Sequence, residues 1–235
     1  MTDRDRATTV VLEAGPGDHV AAPEAGGPGG SGRGCGLDEA TAVAALQLLA
    51  HWWSRPVAEE VTTWSGAAEI EAEVRSRMPE GKVDLLLSSG GGDRTGLLDE
   101  HERLFVGPGP VPCPPYESFW REDVPIDIRR SLMGPCTAEL RQLYAVLGRE
   151  MAPAPGEMPD HVAVELEALA YAISLPAAQA QARALFADHL RRWLPRLCRA
   201  VAHETESDFY RDLAETTLAW TGPLQSYIEL LDPGS

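Results

Sequence analysis

The sequence predicts an all-α protein, a single-domain helical bundle over residues 37–235 preceded by a disordered Gly/Pro-rich tail over residues 1–36. Three observations lead there. Apolar residues recur at three- and four-residue spacing in segment after segment. Prolines and glycines punctuate the chain between those segments, and no convincing period-two strand occurs. With 235 residues, of which 44% are hydrophobic, one domain can bury roughly 70% of the surface that its unfolded chain exposes.

Residues 1–36 contain nine glycines together with Pro16, Pro23 and Pro28, and lack any sustained apolar period. Such a segment cannot recover its ordering entropy through burial. From Leu37 the character changes. Val43, Leu46, Leu49, Trp52 and Trp53 recur at helical spacing behind Asp38, an N-cap candidate, and Pro56 limits the helix. A second, more polar helix is expected over residues 57–78, closed by Pro79 and Gly81. The glycine-rich run from Ser88 to Asp93 has no Gly-Lys-Ser/Thr after it, so it reads as a linker rather than a phosphate cradle.

Thr95 is positioned to cap a helix with Leu97, Leu98, His101, Leu104 and Phe105 on one stripe, ending at Gly107. Residues 107–115 hold five prolines, which fix the backbone and withdraw donors, giving a stiff extended segment. It continues into Tyr116, Phe119 and Trp120. Thr137 opens a helix carrying Leu140, Leu143, Tyr144 and Leu147, with Gly148 where a helix terminates. After a loop over residues 152–159, Asp160 reads as the N-cap of a helix that turns Val162, Leu166, Leu169, Ala170 and Ile173 inward. Glu165 and Glu167 read as its solvated flank, because residues two apart face different ways. Pro176 suits the first position of the next helix, with Leu185, Phe186, Leu190, Trp193 and Leu197 on its inner side and a kink or end at Pro195. Two shorter helices, near residues 207–220 and 223–231, complete the bundle.

Lys and Arg total 20 against 36 Asp and Glu, a formal charge of -16. That field repels phosphate backbones and anionic headgroups, which argues against nucleic acid or a membrane surface as partner, and it draws in cationic peptides. Cys35, Cys113, Cys136 and Cys198 lie far apart with no Cys-x-x-Cys, and there is no His-Glu-x-x-His, so no metal site is expected. No Gly-x-Ser-x-Gly elbow or Cys-His signature supports a nucleophilic enzyme. Arg4 and Arg6 are not adjacent and no signal-length apolar run follows them, and no stretch of about 18 apolar residues occurs. The chain is therefore expected to be neither exported nor membrane-spanning.

Two surface-type segments stand out: the proline-aromatic run and Gly156-Glu157-Met158-Pro159-Asp160-His161 at a helix start. Together with Glu100-His101-Glu102-Arg103-Leu104-Phe105-Val106-Gly107-Pro108, then Pro114-Pro115-Tyr116-Glu117-Ser118-Phe119-Trp120, and Glu165-Leu166, the sequence resembles the TorD/DmsD family of molybdoenzyme chaperones. His189-Leu190, Trp193, Pro195, Phe209-Tyr210 and Leu213 are similar to that family's closing helices. His101 stands where the family often has an aromatic residue, and Tyr116 where tryptophan is frequent.

The resemblance implies a cytoplasmic, non-catalytic, all-helical chaperone. Its partner would be the catalytic subunit of a molybdopterin-dependent oxidoreductase, bound by its N-terminal twin-arginine leader while the cofactor is loaded; because the chain shows no phosphate loop, no tightly bound cofactor is expected on the chaperone itself. By the same resemblance, the leader-binding surface uses Leu104, Phe105, Pro115, Tyr116, Trp120, Gly156, Asp160 and His161. A leader's paired arginines and apolar stretch call for a carboxylate and an aromatic-lined groove. Three alternatives stand beside this reading: a NarJ-type assembly chaperone for a non-exported catalytic subunit, a small helical enzyme or metal-dependent hydrolase built on Asp160, His161, Glu165 and His189, and a structural helical adaptor with no maturation role.

Overall fold

Helix α1, Glu39–Trp53, starts as the sequence predicts: the Asp38 carboxylate accepts from the Thr41 N–H at 2.9 Å, a cap worth about 1 kcal/mol. Its inner stripe, Ala42, Ala45, Leu46, Leu49 and Trp53, is buried, while Val43 and Trp52 are only partly so. The computed structural model describes residues 37–56, 94–123, 125, 134–148 and 158–231. The expected tail, the helix over 57–78, the Ser88–Asp93 linker and most of the loop over 152–159, Gly156 included, lie outside the described residues.

Among the described residues seven further helices follow: α2, Arg94–His101; α3, Glu117–Trp120; α4, Pro135–Val146; α5, Val162–Ser174; α6, Gln179–Ala184; α7, Arg191–Glu204; and α8, Asp208–Leu230. Among the described residues there is no strand, only one isolated antiparallel bridge between Tyr116 and His161. The all-α expectation is met. Wide π-turns extend α2 through Glu102–Val106 and join α6 to α7 through Leu185–Leu190. Pro176 opens a short 3-10 turn before α6, at its expected first position.

The core forms where α1 lies along α5 and α7 along α8, the two pairs meeting through α1 and α8. Trp53, Leu166, Leu169, Trp193, Leu197, Tyr210 and Leu213 fill it. The Trp53 indole N–H donates to the Thr217 hydroxyl at 3.0 Å, so the largest ring in α1 enters the core with its one polar atom satisfied. Gly107 closes the first π-turn at φ +105, where a Cβ would come within 3.2 Å of the Gly109 nitrogen. Gly148, at φ +65, ends α4 as the sequence predicts.

Several expectations about helix ends are corrected. Helix α2 begins at Arg94, so Thr95 lies within its first turn. Helix α4 begins at Pro135, whose missing N–H is harmless there, and Thr137 is a buried residue inside it. The chain runs on through Pro195 to Glu204, and the two short closing helices are one, continuous through Pro223. Burial of Trp193, Leu194 and Leu197 around one proline, and of Trp220, Leu224 and Ile228 around the other, outweighs the local penalty.

Pro223 is exposed and leaves the Ala219 carbonyl without its helical donor. Replacing it with alanine should therefore raise stability by about 1–3 kcal/mol. Chemical denaturation of Pro223→Ala against the native chain measures this, and a loss of stability would show that α8 needs its break.

Candidate functional site

The first residues of a helix carry N–H groups with no partner inside it. Helices α3 and α5 solve this for each other. The Val162 N–H, first in α5, donates to the Pro115 carbonyl at 2.9 Å, and the Glu117 N–H, first in α3, donates to the Asp160 carbonyl at 2.9 Å. The next donor of α3, on Ser118, reaches the Asp160 carboxylate at 3.2 Å. In α5 the second N–H, on Ala163, goes to Nδ1 of His161 at 3.2 Å. The N-cap of α5 is thus His161, and Asp160 caps α3 instead.

This reciprocal capping brings the proline-aromatic segment and the Asp160-His161 corner side by side. The Tyr116 ring stands edge-on to His161 with centroids 5.4 Å apart. Trp120 Nε1 donates to the Pro114 carbonyl at 2.7 Å, folding the indole back over the prolines. The Tyr144 hydroxyl donates to the Pro159 carbonyl at 2.9 Å and fixes the corner from the α4 side.

Not all of the expected site residues face outward. Tyr116, Trp120 and His161 are partly exposed, whereas Pro115 and Asp160 are buried. Leu104 and Phe105 are core residues, and the Phe105 ring packs with those of Trp53, His101 and Tyr210. Their link to the site runs through the backbone, where the Cys113 N–H donates to the Leu104 carbonyl at 3.0 Å. On the outside stands Phe119, 38% exposed and edge-on to Trp120 at 5.4 Å.

Beneath the bridge lies a polar network. The carboxylate of Glu117 is fully buried between the Arg121 guanidinium at 2.6 Å and Nδ1 of His189 at 2.8 Å. Arg121 also donates to the Asp188 carbonyl at 3.0 Å and pairs with Asp123. Glu165, expected on a solvated flank, is completely buried and accepts from the Trp193 indole at 3.2 Å. Its other oxygen, and Oδ1 of Asp160, have no partner among the described residues. Among those residues no group of three or more His, Cys, Asp or Glu side chains could hold a metal.

Burial governs the protonation of these groups. It pushes Glu165 well above the usual carboxylate range, with the charge of Glu117 adding to the effect. It raises Asp160 too, against the opposing hydrogen bonds from Ser118. Burial lowers His161 to about 4, with His101 contributing, and lowers His101 itself to about 4. At another buried carboxylate, Glu100, the balance reverses. Burial acts to raise Glu100, but hydrogen bonds from Arg103, Thr205 and the Glu206 N–H outweigh it and bring the group down to about 2.

A family model described as nitrate reductase delta subunit matches residues 68–199, more than half of the chain. The chain belongs to the nitrate reductase delta subunit family. Its fold is also similar to a crystal structure from Archaeoglobus fulgidus assigned as a redox enzyme maturation protein, at 22% identity and a TM-score of 0.54. That likeness covers 77% of this chain and 93% of the other. Membership of the delta subunit family supports a molybdoenzyme maturation role, and the family is one of maturation proteins rather than catalysts. No helix among the described residues is long and apolar enough to cross a membrane.

The delta subunit family chain therefore carries groups of opposite pH sign in one region. His101 and His161 bind protons more weakly folded than unfolded, so their contribution to stability is present above about 6.5 and is lost as pH falls towards 4. Glu165 binds its proton more tightly folded, so its contribution is present below the ordinary carboxylate value and is lost as pH rises. Each tenfold displacement of a proton equilibrium is worth about 1.4 kcal/mol. Glu165→Gln, which keeps an acceptor for Trp193, should raise the melting temperature at pH 8 and change it little near pH 4.5. Melting curves of both proteins at the two pH values measure this, and a lower melting temperature at pH 8 would show that the ionised carboxylate stabilises the fold.

Proposed function

We propose that this chain is a cytoplasmic chaperone that binds the N-terminal leader of a molybdopterin-dependent oxidoreductase catalytic subunit and assists cofactor insertion and assembly before export. The observation that carries this reading is the Tyr116–His161 bridge. It sets a partly exposed aromatic edge, Tyr116 and Trp120, directly beside the Asp160-His161 corner. A twin-arginine leader offers a paired cationic head followed by an apolar stretch. The aromatic edge suits the apolar part, and the chain's charge of -16 speeds the encounter with the cationic part.

Within this reading the residues divide by exposure. Tyr116, Trp120 and His161 contact the client. Asp160 holds α3 through Ser118 and keeps one oxygen unpartnered. Leu104, Phe105 and Pro115 shape the wall from behind, and Gly156 lies outside the described residues.

The family description favours a second reading, a NarJ-type assembly chaperone acting on a non-exported catalytic subunit without a twin-arginine motif. Mass spectrometry of the client that co-purifies from native cells separates the two.

Titration calorimetry with the leader of that client, and with a Lys-Lys version, tests the first reading. The native leader should bind with measurable heat and the Lys-Lys version at least tenfold more weakly; absence of binding by both removes the leader claim. Asp160→Ala should weaken binding while costing about 0.5–2 kcal/mol as a lost cap. Global unfolding of that variant would mark Asp160 as structural.

A further inference from the structure

Helix α3 is built inside out. Glu117 is 0% exposed and Ser118 and Arg121 are 6% exposed each, while Phe119 is exposed and Trp120 only half-buried. Apolar burial would turn the rings inward and the charges outward. A helix of four residues has no stability of its own, so the packing around it decides its orientation.

Trp120 packs against the hydrophobic core with part of its ring, and the rest of the packing around α3 is polar. Glu117 is held by Arg121 and His189, and Arg121 by the Asp188 carbonyl and Asp123. From α7, Arg196 donates to the Trp120 carbonyl at 3.1 Å and pairs with Glu122, and Arg192 pairs with Asp123 at 3.2 Å. Asp160 accepts from both N–H groups at the start of α3. The π-turn Leu185–Leu190 matters here, because it carries the buried His189 to the Glu117 carboxylate.

We propose that Glu117, Arg121 and His189 are positioning residues for client binding. Their buried clamp keeps α3 turned so that Phe119 faces solvent beside the half-buried edge of Trp120, and the two rings receive the apolar stretch of the client leader, with Phe119 a contact residue in its own right. This inference rests on the client-binding reading above. The occupant follows from continuity and charge: the ring pair adjoins Tyr116 and His161 through the fold of Trp120 over Pro114, and the acidic chain complements the leader's cationic head.

Hydrogen–deuterium exchange on the full chain, paired with fluorescence anisotropy of a labelled twin-arginine leader peptide, tests the clamp. In Glu117→Gln the amides of residues 116–121 should exchange at least tenfold faster, those of α1 and α5 should be unchanged, and peptide affinity should fall at least tenfold. His189→Gln, which removes one of the carboxylate's two partners, should act in the same direction and carries the test if Glu117→Gln does not fold. Phe119→Ala should lower affinity to a similar degree while leaving exchange in 116–121 unchanged. Unchanged exchange in both clamp variants, global loss of protection in both, or undiminished affinity in a loosened variant would each overturn the proposal. Undiminished affinity of Phe119→Ala would remove its contact role. A native chain that binds no leader peptide at all would instead sink the client reading itself, a result distinct from those.

Discussion

The described region turns on two backbone hydrogen bonds, Val162 N–H to the Pro115 carbonyl and Glu117 N–H to the Asp160 carbonyl. The prolines at 108, 110, 112, 114 and 115 have no N–H to give, so the segment cannot join a ladder or continue a helix. Its carbonyls still need donors, and the first turn of a helix is where unused donors are found. The proline segment is thereby fixed across the start of α5, and the start of α3 is fixed in return. Tyr116 and His161 then have nowhere to lie except against each other.

The polar groups beneath this junction do not make the fold more stable than an apolar filling would. A buried ion pair roughly breaks even against well-packed hydrophobic residues of similar volume, and removing one partner alone is costly. What the Glu117, Arg121 and His189 group supplies is direction. An apolar patch on α3 could settle against the bundle in several orientations, whereas a carboxylate held at 2.6 Å by a guanidinium and at 2.8 Å by an imidazole fits only one. Glu165 illustrates the cost side, since its carboxyl is fully enclosed with a single hydrogen bond, from Trp193.

The helical core was legible because its signal is local and repetitive. Asp38, Leu46, Leu49 and Trp53 stand where helix rules put a cap and an inner stripe, and Gly148 stands where a left-handed residue ends α4. Proline positions misled the reading of ends, because the penalties at Pro195 and Pro223 are local while the burial that overrides them is tertiary. The grouping of the proline-aromatic segment with the Asp160-His161 corner came from family resemblance rather than spacing, and in the structure Tyr116 and His161 pair in an antiparallel bridge. The buried network escaped notice for a physical reason. Glu117 and Arg121 are four apart, the spacing of an ordinary solvated helix pair, and nothing in the local sequence tells that a third partner, His189, waits 72 residues away on a π-turn. Asp160 was misassigned for a related reason: a cap is read from the helix that follows, and this side chain caps α3, earlier in the chain.

A surface that must hold another chain and then let it go faces a conflict between exposure and solubility. Aromatic rings left outside a monomer invite association, yet rings packed into the core are unavailable to a partner. Here the outward apolar area is small, Phe119 and the open edge of Trp120 on one short helix, and it sits on a chain whose net charge of -16 keeps copies apart. Orienting that pair by a polar clamp, with only Trp120 leaning on the apolar core, separates two functions that would otherwise compete. The packing of α1 against α5 and of α7 against α8 sets the stability of the bundle, while the orientation of α3 is set by charges whose adjustment leaves that packing intact. In the proposed role, such a division lets the client surface change from one family member to another through α3 and its neighbours without redesign of the bundle beneath.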